Sequence, residues 1–148
     1  MFVVCGTQHW RAELPPGWCA QHGPGNVAIY HPDGVGAIQI SSFRKPQGTV
    51  ADADLREMAE GVPHDGNGLR PVQAGEFVGL RCESLDDRAF WARWFVGRGA
   101  VAVHITYNCP ALECGREREA VGRVVASLTC PLPQRHAEPL SWPPNLRQ

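Results

Sequence analysis

The residues with the greatest chemical potential lie in one short segment, where a histidine, an asparagine and a cysteine fall within six positions. The sequence WFVGRGAVAVHITYNC, residues 94–109, contains His104, Asn108 and Cys109 among its last six residues. These are the residue types of a thiol hydrolase, in which a histidine activates the cysteine nucleophile. The same segment alternates apolar and polar residues, as a half-buried β-strand does. Two interpretations follow: a small thiol-dependent enzyme or ligand-binding domain that uses Cys109 and His104, or a strand that ends in a buried thiol.

Strand geometry argues against the catalytic interpretation. In an extended chain, His104 and Asn108 would lie about 13 Å apart, and Cys109 would project from the opposite face. Pro110 biases Cys109 toward an extended conformation, whereas a helix N-terminus at this point would lower the pKa of the thiol. We therefore expect Cys109 to be a buried thiol at the end of a strand, and we predict no catalytic residue.

A second pattern could bind a metal ion. Cys109, Cys114, Cys130 and His136 have spacings close to those of structural zinc sites. The periodicity of the segment predicts a helix over residues 112–128, which would separate Cys114 from Cys130 by about 24 Å along the helix axis. One zinc ion cannot bridge that distance, so the sequence predicts no metal site. Since no glycine-rich phosphate loop is present either, we predict no cofactor.

The charge balance and the apolar runs limit the class of partner. The 148 residues include 14 basic and 15 acidic side chains, so no net charge attracts nucleic acid or an anionic membrane surface. No apolar run approaches the roughly 18 residues that span a bilayer, and the N-terminal segment lacks the basic start of a secretory signal. We expect a cytoplasmic protein whose six cysteines are thiols rather than disulfides.

The first half of the chain predicts three strands and a helix. The strands are Trp18 to Gln21, Asn26 to Tyr30 and Val35 to Phe43, and the sequence HPDG at residues 31–34 predicts a tight turn between the last two. A helix start follows at residues 49–52, with Leu55, Met58 and Ala59 on one apolar face. Residues 62–71 are rich in glycine, proline and polar residues, which predicts an exposed loop.

The second half repeats this order. Apolar runs from Glu76 to Glu83, Ala89 to Val96 and Ala100 to Tyr107 are separated by short turn sequences, which favours an antiparallel meander. The predicted helix over residues 112–128 follows, with valines at helical spacing. The order βββ-α-βββ-α predicts an α+β domain over residues 1–130, with an antiparallel sheet of about six strands and two helices packed on it. Residues 131–148 predict a proline-rich C-terminal tail.

Aromatic residues are concentrated in the strand that begins at Ala89. Alternation places Phe90 and Trp94 on one face and Trp91, Arg93 and Phe95 on the other. One face can pack in the core. The other carries two large aromatic rings around an arginine, which are the residue types enriched at protein interfaces. We predict that Trp91, Arg93 and Phe95 form a partner-binding surface, unless the helices or Trp142 of the tail cover it.

The order of elements and several dispersed sequences resemble the Mog/PsbP-like group of small α+β domains, which includes many bacterial proteins and some adaptors of type VI secretion effectors. The similar sequences are Trp10, LPPGW at 14–18, YHPDG at 30–34, AIQIS at 37–41, the pair Trp91 and Trp94, HITY at 104–107 and VVASL at 124–128. The resemblance implies an antiparallel sheet flanked by helices, no catalytic residues and a role in protein contacts. We therefore expect a bacterial, non-catalytic interaction module such as an adaptor, chaperone or immunity protein, whose partner is another protein, for example a secreted effector. We expect the module itself to be a monomer or homodimer.

Overall fold

The computed structural model describes residues 3–131, which form nine strands and two α-helices. The elements are β1 (Val3–Gly6), β2 (Arg11–Leu14), β3 (Cys19–His22), β4 (Val27–Tyr30), β5 (Ala37–Arg44), α1 (Asp52–Met58), β6 (Arg70–Ala74), β7 (Phe77–Leu85), β8 (Ala89–Arg98), β9 (Val101–Pro110), a 3₁₀ turn (Ala111–Glu113) and α2 (Arg118–Ala126). The predicted tail from residue 132 onward, with Trp142 and His136, lies outside the described residues. No helix among residues 3–131 is long and apolar enough to cross a membrane.

Seven of the strands form one antiparallel sheet in the order β3-β4-β5-β9-β8-β7-β6. Consecutive strands pair as hairpins on both sides, and β9 joins the two halves by pairing with β5 over eight residue pairs. Short turns permit this arrangement, because antiparallel neighbours need no helical crossover. The predicted α+β class with an antiparallel sheet and two helices is confirmed.

The two faces of the sheet have separate cores. One face packs against α2 and against a two-stranded hairpin formed by β1 and β2. Its largest fully buried side chain is Trp10, which precedes β2. The other face packs against α1, where Leu55 and Ala59 contact Leu80 and Phe95. Each helix therefore covers its own side of the sheet.

The β1–β2 hairpin is absent from the prediction. Val3 and Val4 of β1 are 64% and 55% exposed, so this strand has no buried alternation for a sequence pattern to reveal. The hairpin is held by contacts distant in sequence. Backbone bonds join Arg11 and Thr129 in both directions at 2.9 Å, and the Ser127 hydroxyl accepts a bond from the Glu13 amide at 2.8 Å.

The seventh strand of the large sheet, β6, starts inside the region predicted as a loop over residues 62–71. It contains Pro71, which lacks an amide donor and so argues against a central strand. β6 is the outermost strand beside β7, where one side of the backbone needs no partner. A two-residue turn through Gly75 and Glu76 closes the hairpin, and Gly75 has a φ of +62°. The predicted count of about six strands is thus one short for this sheet.

The last helix is shorter than predicted. Instead of one helix over residues 112–128, a 3₁₀ turn ends at Glu113, Gly115 takes a left-handed φ of +94°, and α2 begins at Arg118. Because Cys114 precedes α2, the 24 Å helical separation used against a zinc site was wrong. Residues 3–131 contain no cluster of three or more histidine, cysteine, aspartate or glutamate side chains that could hold a metal ion.

Candidate functional site

His104 and Cys109 lie on opposite faces of β9, as the alternation predicted. Cys109 is 3% exposed and belongs to the core beneath α2. The His104 ring faces the other way and stacks on Phe95, with the ring centroids 4.8 Å apart and the planes 11° from parallel. A strand cannot bring two side chains on opposite faces into hydrogen-bond contact. The pair therefore cannot form a thiol–imidazole site.

Burial also makes both groups poor catalysts. Removal of the thiol from water raises the pKa of Cys109 above its ordinary value, so little reactive thiolate forms at neutral pH. Burial, with the positive charge of Arg93 as a second cause, lowers the pKa of His104 to about 4. His104 is therefore neutral at pH 7 and a weak base.

Asn108 is not directed at Cys109 either. Side chains alternate along β9, so Asn108 shares the face of His104 and lies opposite Trp91 on β8. The three residues that suggested a hydrolase are therefore divided between the two faces of the sheet.

A half-buried carboxylate near Cys109, that of Glu117, has a structural role. Glu117 accepts a hydrogen bond from the Tyr107 hydroxyl at 2.7 Å and from the amides of Gly36 and Val35 at 3.1 and 3.3 Å. These bonds tie the start of α2 to β9 and to the turn before β5. Burial and the neighbouring Glu117 charge raise the pKa of Tyr107, which keeps its hydroxyl protonated as the donor. With three donors already bound, Glu117 is engaged in holding the fold.

The elements of residues 3–131 cover only part of the sheet face that carries α1. α1 spans seven residues and lies over the end of the sheet at Phe95 and Ala102. Beyond His104, the side chains that β5, β8 and β9 place on this face are partly or fully accessible to solvent, whereas Cys82 of β7 is 3% exposed. We call this uncovered area the open face; it consists of Trp91, Arg93, Thr106, Asn108 and Gln39.

Two of the three predicted partner-binding residues lie together on the open face. The Arg93 guanidinium lies over the Trp91 ring, 4.3 Å from the ring centroid, and both side chains are half-buried. Phe95 is different: it is 1% exposed because α1 packs on it, so its assignment to a partner surface was wrong. Trp142, which could have covered the face, lies outside the described residues.

The charge of Arg93 has no counter-ion within the described part of the chain. None of the ion pairs among residues 3–131 includes Arg93. Its Nε atom is buried and has no hydrogen-bond partner there. A half-buried cation without a carboxylate is unusual, because charged groups that leave water gain most of their compensation from a partner. Arg93 is thus the most distinctive polar group of the open face.

The opposite face of the sheet holds a groove that the sequence reasoning missed. It lies between α2 and strands β6–β8 and has a volume of about 260 Å³. Its wall and floor are largely apolar, formed by Phe90, Ala92, Trp94, Tyr107, Val121 and Val125. Two features of the sequence could have indicated the groove: the small residue Ala92 between two aromatic residues on one strand face, and Gly122 in the middle of a helix.

Charged side chains border this groove. Arg81 and Glu83 form an ion pair at 2.7 Å, and the Arg81 guanidinium lies 4.8 Å from the centroid of the Trp94 ring. Arg118, in the first turn of α2, lies at the groove and is exposed. An apolar cleft with a few polar groups at its edge is the usual form of a small-molecule site.

Comparisons with known proteins bear on the fold. The sequence matches no protein-family model and no curated protein. Among solved structures, a Bacteroides thetaiotaomicron protein aligns with a TM-score of 0.63 and 19% identity over 82% of this chain, which spans only 44% of that protein. LpqN, a Mycobacterium tuberculosis protein involved in cell envelope biogenesis, aligns with a TM-score of 0.56 and 14% identity over 88% of this chain and 90% of its own.

A third matching structure is the Ran-binding protein Mog1p of Saccharomyces cerevisiae, at a TM-score of 0.48 and 12% identity over 83% of this chain and 90% of its own. All three identities are below 20%, so each likeness is one of fold.

Proposed function

We propose that the protein is a non-catalytic interaction module that binds another protein through the open face. The observation that carries this proposal is the half-buried Arg93 guanidinium stacked on Trp91, with no counter-ion for Arg93 among residues 3–131. Tryptophan and arginine are the residue types that contribute most to interface affinity. The thiol-enzyme alternative lacks support, because Cys109 is buried and cannot meet His104.

The chemistry of the open face indicates what the partner presents. A carboxylate of the partner would pair with Arg93, and an apolar side chain would pack on the free part of the Trp91 ring. Thr106, Asn108 and Gln39 supply hydrogen-bond donors and acceptors around them. A protein segment with one acidic and one apolar residue, two positions apart in an extended conformation, fits this arrangement.

The proposed function also includes a cellular role for the protein. An adaptor, chaperone or immunity protein for a secreted effector would bind such a segment in the cytoplasm, as a monomer or homodimer. Unpaired thiols at Cys5, Cys19, Cys82, Cys109 and Cys114 support a reducing compartment.

The test is a pull-down of the full chain from its native host, followed by affinity measurement on any purified partner. The binding variant is Trp91→Ala with Arg93→Gln. The matched control is Arg123→Gln, which removes an exposed arginine from α2 on the other side of the sheet. We expect one dominant partner with the wild type and with the control, and a loss of binding by the double variant of at least about 2 kcal/mol, the scale of an interface hot spot.

The salt dependence of the affinity is a second test of the same complex. If Arg93 pairs with a carboxylate, affinity should fall when salt is raised from about 50 to about 300 mM, and the Arg93→Gln variant should lose most of that dependence. A partner that binds the double variant as tightly as the wild type would show that contacts are made elsewhere on the molecule. The absence of any partner at either salt concentration would count against an interaction module.

A further inference from the structure

We propose that the groove between α2 and strands β6–β8 binds a small anionic amphiphile, a molecule with an apolar body of about eight to ten carbons and one carboxylate. The groove and the open face lie on opposite sides of the sheet, so this inference does not depend on the proposed protein partner. It rests on the apolar lining of the groove, on the glycine at position 122 of α2 and on the charged side chains at the rim.

The floor of the groove provides an apolar seat. Ala92 lies between Phe90 and Trp94 on the same face of β8, so a methyl group stands where two large rings flank it. Val121 and Val125 of α2 form the facing wall and are each 5% exposed. An apolar body placed here would exchange water for contacts with aromatic and branched side chains.

Gly122 keeps the mouth of the groove open. It lies in the middle of the nine-residue helix α2, where glycine destabilises a helix by about 1 kcal/mol relative to alanine. A Cβ atom at this position would meet no other atom within 4 Å, so packing does not require glycine. Its φ is not left-handed either. Access to the groove is the remaining physical reason for a residue without a side chain at this point.

The rim carries one uncompensated positive charge. Arg81 is neutralised by Glu83, and its guanidinium is already stacked on Trp94. Arg118 forms no ion pair with any residue of the described range. It lies in the first turn of α2, where the helix dipole also favours negative charge. A carboxylate at the rim would therefore gain from Arg118 while its apolar chain lies on Ala92.

The volume sets the size of the ligand. A cavity of about 150 Å³ accommodates benzene, and the groove has about 260 Å³. A straight chain of about eight to ten carbons, or a two-ring aromatic carboxylate, fills a space of that size. A complete membrane phospholipid, with two longer chains, does not fit.

The experiment is isothermal titration of the full chain with decanoate, accompanied by amide chemical shifts in ¹⁵N-labelled protein. Decan-1-ol serves as the neutral analogue, and naphthalene-2-carboxylate as a rigid anion. We expect one decanoate per chain, with the largest shifts at Ala92, Trp94 and Val125. The alcohol should bind about two- to fivefold more weakly, the worth of one exposed ion pair.

Three variants assign the site. Gly122→Leu should weaken decanoate binding at least tenfold, because its side chain displaces about two methylene groups of the ligand at about fourfold each. Gly122→Ala, which makes the same change to the helix backbone with a smaller side chain, should change binding by less than about fourfold. Arg118→Gln should reduce the affinity for decanoate to that for decan-1-ol. The double variant Trp91→Ala/Arg93→Gln should bind decanoate and decan-1-ol with the same affinities as the wild type.

Several results would overturn the inference. If the full chain binds neither anion, or binds them with shifts confined to other surfaces, the groove is not a ligand site. Equal affinity for decanoate and decan-1-ol in the wild type would reject the anionic class. Unchanged binding by Gly122→Leu would reject the mouth at α2. None of these results affects the proposed protein partner, because its test uses the open face alone.

Discussion

The stability of this protein should fall on mild acidification, and His104 should be the main cause. The imidazole is stacked on Phe95, faces the cation of Arg93 and has a buried Nε2 atom without a hydrogen-bond partner among residues 3–131. A protonated ring there would lose hydration and meet a like charge. Burial first, and Arg93 second, therefore lower its pKa from 6.5 to about 4.

The sign of the effect follows from proton binding. Between pH 6.5 and about 4, His104 takes up a proton in the unfolded chain but not in the folded one, so stability is lost as the pH falls through this window. For these two pKa values, the loss between pH 7 and pH 5 reaches about 2 kcal/mol. Because the ring is only half-buried and water screens part of the interaction, we expect about 1–2 kcal/mol.

The measurement is urea unfolding at pH 7 and pH 5 for the wild type, His104→Gln and His22→Gln. His104→Gln should lose about 1–2 kcal/mol of the pH dependence, whereas His22→Gln, which alters an exposed histidine, should retain all of it. The remainder should come in part from His9, whose pKa is lowered by burial and by Arg44. A His104 pKa near 6.5 by NMR titration, or an unchanged slope in His104→Gln, would refute the reasoning.

Three further outcomes can be measured on the same material. Native iodoacetamide labelling at pH 8, mapped by mass spectrometry, should modify exposed Cys114 but spare Cys109 until urea is added; comparable rates would contradict the burial of Cys109. Gly122→Ala should raise the free energy of unfolding by about 0.5–1 kcal/mol through helix propensity, and a loss in denaturant melts would mean that the position is sterically closed. Phe95→Ala should cost about 3–5 kcal/mol because it opens a cavity under α1, and Trp91→Ala should cost clearly less; equal costs in thermal melts would mean that Trp91 is a core residue.

The strands with a buried face were predictable because their alternation records it. Val103, Ile105 and Tyr107 point to one side of β9 and His104 and Thr106 to the other, as the structure confirms. The same alternation, read from the sequence alone, separated Cys109 from His104 and weakened the catalytic interpretation. Periodicity thus placed the main sheet and the faces of its central strands.

Other features depend on contacts that no local pattern contains. β1 is exposed, and β6 includes Pro71 and gains strand structure only as an edge partner of β7. Phe95 shares one face of β8 with Trp91 and Arg93, so the sequence assigned all three to one surface. The assignment was correct for the face but not for exposure, because it could not show where α1 would end. The groove could not be predicted from the sequence either, because it exists only where α2 lies over β8.

The length of α1 explains why an open face exists at all. Seven residues make a helix about 10 Å long, whereas the ten residues of β9 extend about 33 Å. α1 cannot cover that strand, and the helix is followed by a turn at Gly61, which has a φ of +80°. The side chains of β9 change accordingly, from buried Ala102 under α1 to Thr106 and Asn108 beyond it. Polar residues are expected where a sheet faces water. On this polar surface, the departure is the aromatic ring of Trp91 under Arg93, which has no counter-ion among residues 3–131, and the proposed partner contact rests on this pair.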